Sequence, residues 1–231
     1  MSQIDIYIDG PSMNEMDKLA DEKISGYTFN PTLFKTLGVA DYIEYSKTVL
    51  RCAQNLPVSL EVIGDTYEKM IHQGRKLSSL SPNVIVKIPI SYTSGNSTID
   101  TIKTLVSDQI NLNITAVFTL NQIREILPSI RETHTIISVF AGRLYDVGID
   151  AAERIKEMSE FVRNNSNCRI LWASPRMHYD YLTAQRVGCH IITMTSSMYK
   201  KMELLGKSPE QYSKETVIMF YNDAKASGFK I

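Results

Sequence analysis

The chain has 231 residues, 43% hydrophobic and 22% charged, which suits a folded protein with a sizeable core and excludes a disordered one. Its 25 basic and 25 acidic side chains balance. A neutral chain has no global attraction for nucleic acid or for an anionic membrane, and neither is expected as a partner.

In chain order, short runs rich in Val, Ile, Thr and aromatics alternate with stretches of helical periodicity. Strands are predicted over 4–9 and 26–29, then a helix over 42–55. The third strand, 58–62, precedes a helix over 67–77 with Asp65 and Thr66 as cap candidates. The fourth, 84–88, precedes a helix over 98–109. After the fifth, 112–118, Thr119 or Asn121 is placed to cap a helix. The sixth strand, 135–140, leads to a helix over 151–163, the seventh, 169–172, to one over 179–187, and the eighth, 190–194, to one over 198–205. A last amphipathic helix is predicted over about 209–226. Its apolar face is Val217, Phe220, Tyr221 and Ala224, packed either on its own barrel or on a neighbouring subunit.

Several strands are apolar on consecutive positions, as in VIVKIPI and IISVF, the pattern of a parallel sheet covered on both faces. Alternation of this kind predicts a (β/α)8 TIM barrel, one domain over 1–231 with an extra C-terminal helix. The rival, an open doubly wound sheet, would be expected to carry GxGxxG after the first strand, and that fingerprint is absent. Cys52, Cys168 and Cys189 are far apart and form no CxxC pair. They argue against a disulfide framework or structural zinc and for a reducing, cytoplasmic setting. The opening MSQIDIYIDGPS has no basic stretch before a long apolar one, so no signal peptide is expected, and no run of about 18 apolar residues predicts a membrane span.

In a parallel barrel the chemistry lies at the C-terminal strand ends. Asp9, Asn30, Glu61, Lys87, Thr115, Ser138 and Ser174 fall there, with Arg143 and Arg176 just beyond. Lys87 stands inside an apolar strand, where burial disfavours an ammonium and suggests an amine that attacks a carbonyl. The alternative is a lysine that snorkels out at the strand end or pairs with Glu61. Asp9 and Glu61 are either proton carriers or rim salt bridges. Arg143 and Arg176 suit a phosphate, or are solvated surface arginines. The four histidines form no HExxH or His/Cys cluster, so no metal site is expected.

Taken in order, these segments resemble the transaldolases, in particular the short subfamily that includes the fructose 6-phosphate aldolases. Ile6-Tyr7-Ile8-Asp9 resembles the family's first strand with its acid/base aspartate. The run Gly26-Tyr27-Thr28-Phe29-Asn30-Pro31-Thr32-Leu33 is similar to G-x-T-T-N-P-S-L. Ser59-Leu60-Glu61-Val62 resembles the strand of the glutamate that works through a water, and Val86-Lys87-Ile88-Pro89 the Schiff-base motif. Asn113-Ile114-Thr115 resembles the strand whose threonine holds that water. The segment 137–143, ISVFAGR, is similar to I-S-P-F-V-G-R, and Ala173-Ser174-Pro175-Arg176 to a phosphate-binding turn.

The resemblance implies transfer of a dihydroxyacetone unit between sugar phosphates in the pentose phosphate pathway. Lys87, Glu61, Asp9 and Thr115 would be catalytic. Thr28, Asn30, Ser138 and Phe140 would line the substrate, and Arg143, Ser174 and Arg176 would hold its phosphate. It implies no metal or organic cofactor, and a homo-oligomer, a pentamer or decamer. Glu61 and Phe140 favour transfer over release of free dihydroxyacetone, because the aldolases have glutamine and tyrosine there. Phe29 replaces a threonine of the signature and is expected to add bulk near the mouth. A barrel that only binds sugar phosphates is the third reading, and it has no need of Lys87.

Overall fold

The computed structural model describes residues 4–19 and 22–230. The opening of the segment expected not to be a leader, and the outer limits of the 1–231 domain, therefore lie outside the described residues. The chain divides into two compact units, one ending at Tyr199 and one beginning at Lys200.

The first unit is a closed barrel of eight parallel strands in sequence order, β8 pairing back to β1. They are β1 Asp5–Asp9, β2 Gly26–Thr28, β3 Val58–Glu61, β4 Val84–Pro89, β5 Leu112–Val117, β6 Ile136–Phe140, β7 Arg169–Ala173 and β8 Ile191–Met194. Each lies within two residues of its predicted position. The helices are α1 Met13–Lys18, α2 Pro31–Thr36, α3 Tyr42–Ala53, α4 Tyr67–Ser78, α5 Ile99–Ser107, α6 Leu120–Ile130, α7 Ala141–Asp146, α8 Ala151–Asn165, α9 Asp180–Arg186, α10 Ser196–Lys200 and α11 Pro209–Ser227. The stretch predicted as one helix over 198–205 is α10 followed by a 3-10 turn, Lys201–Leu204.

Periodicity passed over α1, α2 and α7 because each has six residues, less than two turns, too few for an apolar stripe to repeat. Local capping specifies the first two. Ser12 and Glu15 form a capping box on α1, and Asn30 accepts from the Leu33 amide on α2 with Pro31 in its first turn. Thr66 caps α4 as expected, and Thr119, rather than Asn121, caps α6 with Gln122. Asp65 instead accepts from the Thr93 amide at 2.8 Å, tying two loops at the C-terminal end.

Register orders the barrel interior. Residues paired across parallel strands point to the same side, and alternate residues of a strand share a face. At the N-terminal end the inward positions are apolar: Tyr7, Ile85, Ile136, Leu171 and Ile191 pack together. One step toward the C-terminal end they turn polar: Asp9 with Thr28, Glu61 with Lys87, and Lys87 with Asn113. The outward positions Val84, Val86 and Ile88 are buried as well, which is why β4 reads as a continuous apolar run.

In the second unit, Ser208 caps α11 by accepting from Gln211, and Gly228 closes it at φ 67°. Lys207 and Glu215 pair at 2.6 Å. On α11, Val217, Phe220 and Tyr221 are exposed. Among the described residues no helix is long and apolar enough to cross a membrane.

Candidate active site

Lys87 is 5% exposed and lies in the polar layer. Its Nζ stands 3.1 Å from Glu61 Oε2 and donates to the Phe29 carbonyl at 3.2 Å. Lys87 is held inside the barrel beside Glu61 and does not snorkel out at the strand end. The amine is buried but not alone. Tyr42 fixes the end of β3 by donating from its phenol to the Glu61 carbonyl at 2.6 Å.

On the far side of β2, the Thr28 hydroxyl donates to Asp9 Oδ1 at 2.6 Å and meets the Thr193 hydroxyl at 2.6 Å. Burial holds the Asp9 carboxyl above the usual carboxylate range, against the opposing pull of the Lys87 charge and the Thr28 hydrogen bond. Behind Lys87 runs a buried chain: Ser138 Oγ donates to Asn113 Oδ1 at 2.7 Å, and Asn113 Nδ2 donates to Ser59 Oγ at 3.2 Å.

Thr115 is buried and its hydroxyl has no hydrogen-bond partner among the described residues. The strand is irregular there. The β5–β6 register shifts between Ile114 and Val117, and Ala116 sits at φ 58°, in the left-handed region. A bulge of this kind re-aims neighbouring side chains and is over-represented beside active sites.

The arginines differ from one another. Arg143 is exposed, its guanidinium 5.7 Å from the centroid of Phe140, and forms no ion pair among the described residues. Phe140 also meets Phe118, centroids 5.8 Å apart. Arg176 is paired with Asp146: Nε donates to Oδ1 at 3.0 Å, and Nη2 closes a second, shorter contact to Oδ2. Its Nη1 reaches the Ser174 hydroxyl at 3.4 Å. Ser174 sits at φ 58°, and buried Asp180 accepts from the Arg176 amide at 2.7 Å. Gly142 explains how the two turns meet: a Cβ there would lie 1.8 Å from the Ser174 carbonyl oxygen and 3.0 Å from Arg176 Nε.

Two expected residues are engaged otherwise. Asn30 spends its side-chain oxygen as the α2 cap, which leaves its amide NH2 for a ligand. Phe29 does not fill the mouth. It follows inward-facing Thr28, so its fully buried ring points outward and packs on Phe34, centroids 5.3 Å apart. Sequence reasoning missed Thr193, Ser59, Asn113, Asp146 and Asp180. Asn113 had a signal, a polar residue inside the apolar run LNITAV.

A cavity of about 590 Å3 opens at the other, N-terminal end, bordered by Tyr7, Ile85, His134 and Arg169. Its volume does not locate the chemistry. Arg169 is already paired with Asp5 at 2.5 Å, and barrel enzymes work at the loops that follow the strands.

The sequence pattern of the Transaldolase/Fructose-6-phosphate aldolase family matches residues 6–231. The chain belongs to that family. Relatives named "Probable transaldolase" from Thermoanaerobacter sp. (strain X514) and Ruegeria sp. (strain TM1040) are 32% and 31% identical to it. The first match covers 90% of each chain, the second 97% of this chain and 98% of the relative. Among solved structures, a dihydrodipicolinate synthase from Rhodopseudomonas palustris superposes with a TM-score of 0.60 at 14% identity, covering 96% of this chain and 79% of that one. "Native KDPGal structure" superposes at 0.59 and 10%, over 97% of both. These two likenesses speak for the barrel. As a transaldolase-family chain, this one brings Asp9, Thr28, Glu61 and Lys87 together in one polar layer.

Proposed function

We propose that this protein is a transaldolase that transfers a dihydroxyacetone unit between sugar phosphates through a Schiff base on Lys87. The observation that carries the reading is the Lys87 amine held 3.1 Å from the Glu61 carboxylate inside the barrel. Passing the proton from Nζ to Oε2 leaves a neutral amine with a free lone pair, which attack on a ketone carbon requires. As the C–N bond forms to C2 of fructose 6-phosphate or sedoheptulose 7-phosphate, the carbonyl oxygen takes up a proton. The carbinolamine then loses that hydroxyl as water, Glu61 relaying protons through a water held by the otherwise unpartnered Thr115 hydroxyl.

Asp9 next removes the proton of the C4 hydroxyl. The C3–C4 bond breaks, its electron pair flows into the iminium to give an enamine, and an aldose phosphate leaves. A burial-raised carboxyl pKa makes Asp9 a stronger base for this step, and Thr28 orients it. An acceptor aldose phosphate re-forms the bond by the reverse steps, and water hydrolyses the final imine. Asn30 and Ser138 hold substrate hydroxyls, and Arg143, Ser174 and Arg176 hold the phosphate. The Phe140 ring, between Phe118 and Arg143, keeps water from the enamine. No metal or organic cofactor takes part in this scheme.

The reaction places the protein in the pentose phosphate pathway of the cytoplasm. Burial pushes the thiols of Cys168 and Cys189 up to about 11 and about 12, which keeps both protonated and unreactive. The apolar residues exposed on α11 favour a homo-oligomer, a pentamer or decamer, in which that helix meets a neighbouring copy. The test is a product assay with fructose 6-phosphate, with and without erythrose 4-phosphate. Sedoheptulose 7-phosphate formed only with the acceptor supports transfer. Free dihydroxyacetone without it moves the protein to the aldolase branch. Failure of borohydride to fix a ketone on Lys87 rejects the Schiff-base scheme altogether.

A further inference from the structure

The turn that carries the proposed phosphate contacts holds one more charged residue. Asp146 is the last residue of α7, three positions after Arg143 on the same helix. It pairs with neither that neighbour nor a lysine but with Arg176, from 30 residues further along the chain. The pairing takes Nε–H and one Nη2–H, a whole edge of the guanidinium. Nη1 donates to the Ser174 hydroxyl at 3.4 Å, which leaves one Nη1–H and the second Nη2–H for a ligand on that side. Gly142 brings the start of α7 against the same guanidinium, so Arg143 and Arg176 lie on adjoining turns.

We infer that Asp146 is a positioning residue for a phosphate-bearing substrate: its bidentate grip fixes Arg176 so that the remaining guanidinium N–H bonds, the Ser174 hydroxyl and Arg143 form one anion subsite. The inference rests on the transaldolase reading for the location of that subsite. Asp146 does not touch the phosphate and acts only through Arg176.

Charge and orientation predict opposite results, which makes the inference testable. Removing the Asp146 charge adds net positive charge to the subsite, so electrostatics by itself predicts tighter anion binding. Loss of orientation predicts weaker binding. Glucitol 6-phosphate, which has no carbonyl, binds without Schiff-base chemistry and serves as the probe. Calorimetry on full-length native protein and on Asp146→Asn is expected to show about a tenfold rise in Kd for the variant, the loss of about one charge-assisted hydrogen bond. Borohydride trapping of dihydroxyacetone, which has no phosphate, is expected to be equal in the two proteins.

Equal or tighter binding of glucitol 6-phosphate by Asp146→Asn overturns the inference, because Asp146 would then compete with the phosphate. Parallel loss of trapping and binding also overturns it, because the effect would be general unfolding of the turn. So does native protein that binds glucitol 6-phosphate no better than glucitol. Native protein that binds the probe but traps no ketone rejects the Schiff-base reading and leaves the positioning role intact.

Discussion

Lys87 and Glu61 occupy paired positions on adjacent strands, and their charged atoms meet at 3.1 Å with side chains only 6% and 16% exposed. Neighbouring register puts both on the inner face, so neither can leave the barrel interior without disturbing the strand. The pair sets what replacing either residue will do. Lys87→Met is expected to abolish turnover and borohydride trapping. It also leaves Glu61 buried without its cation, at a cost of about 3 kcal/mol. Adding Glu61→Gln is expected to recover most of that stability without restoring activity. Thermal denaturation of the single and double variants checks this, and full activity in Lys87→Met would sink the mechanism.

Asp9 makes stability depend on pH in a definite direction. Its carboxyl binds a proton more tightly in the folded chain than in the unfolded one, because burial penalises the anion. Below about pH 4, an ordinary aspartate value, both states hold the proton and Asp9 contributes nothing. As pH rises, the unfolded chain releases its proton first, and stability is lost until the higher folded value is passed. Asp9→Asn removes that loss. The variant's melting temperature is expected to pull ahead of the native one as pH rises above about 4, the ordinary aspartate value. The acid limb of native kcat/KM is expected above the ordinary carboxylate range. A limb at or below it would reject Asp9 as the base.

Gly142 is fixed by a close approach, not by a turn. A methyl group there meets the Ser174 carbonyl oxygen at 1.8 Å, and a backbone atom has little room to give. Gly142→Ala is expected to destabilise the fold by about 2 kcal/mol or more and to weaken sugar phosphate binding. Chemical denaturation and calorimetry read the two effects.

At Ala116 the expected sign is reversed. Its φ of 58° is uncomfortable for a side chain, and glycine adopts it freely. Ala116→Gly is expected to be neutral or stabilising by up to about 1 kcal/mol, whereas Ala116→Val destabilises. A marked loss of stability in the glycine variant would mean that the bulge is held by the methyl group and not tolerated despite it.

Phe140 decides the fate of the enamine in the proposed cycle. Phe140→Tyr places a phenol beside Phe118 and Arg143 and is expected to release free dihydroxyacetone from fructose 6-phosphate without acceptor. An unchanged product ratio would show that water is excluded by something else.

The barrel was legible in the sequence because its signals are local. Apolar runs such as VIVKIPI mark strands buried on both faces, and 3.6-residue stripes mark the longer helices. The polar residue closing each run marks the end where chemistry sits. Lys87, Glu61, Asp9 and Thr115 were singled out as candidates this way, and the family resemblance followed from their order. The six-residue helices α1, α2 and α7 were not, because less than two turns carries no repeat.

What the tertiary structure alone decided are the partnerships. It paired Lys87 with Glu61, joined Thr28 to Thr193 across 165 residues of chain, and gave Arg176 to Asp146 rather than leaving it free. It also turned Phe29 away from the mouth and made Gly142 indispensable to the Ser174 turn. Sequence periodicity reports which side of its own element a residue occupies. Which groups then meet across the barrel depends on strand register and loop geometry, and those are set only when the eight strands close.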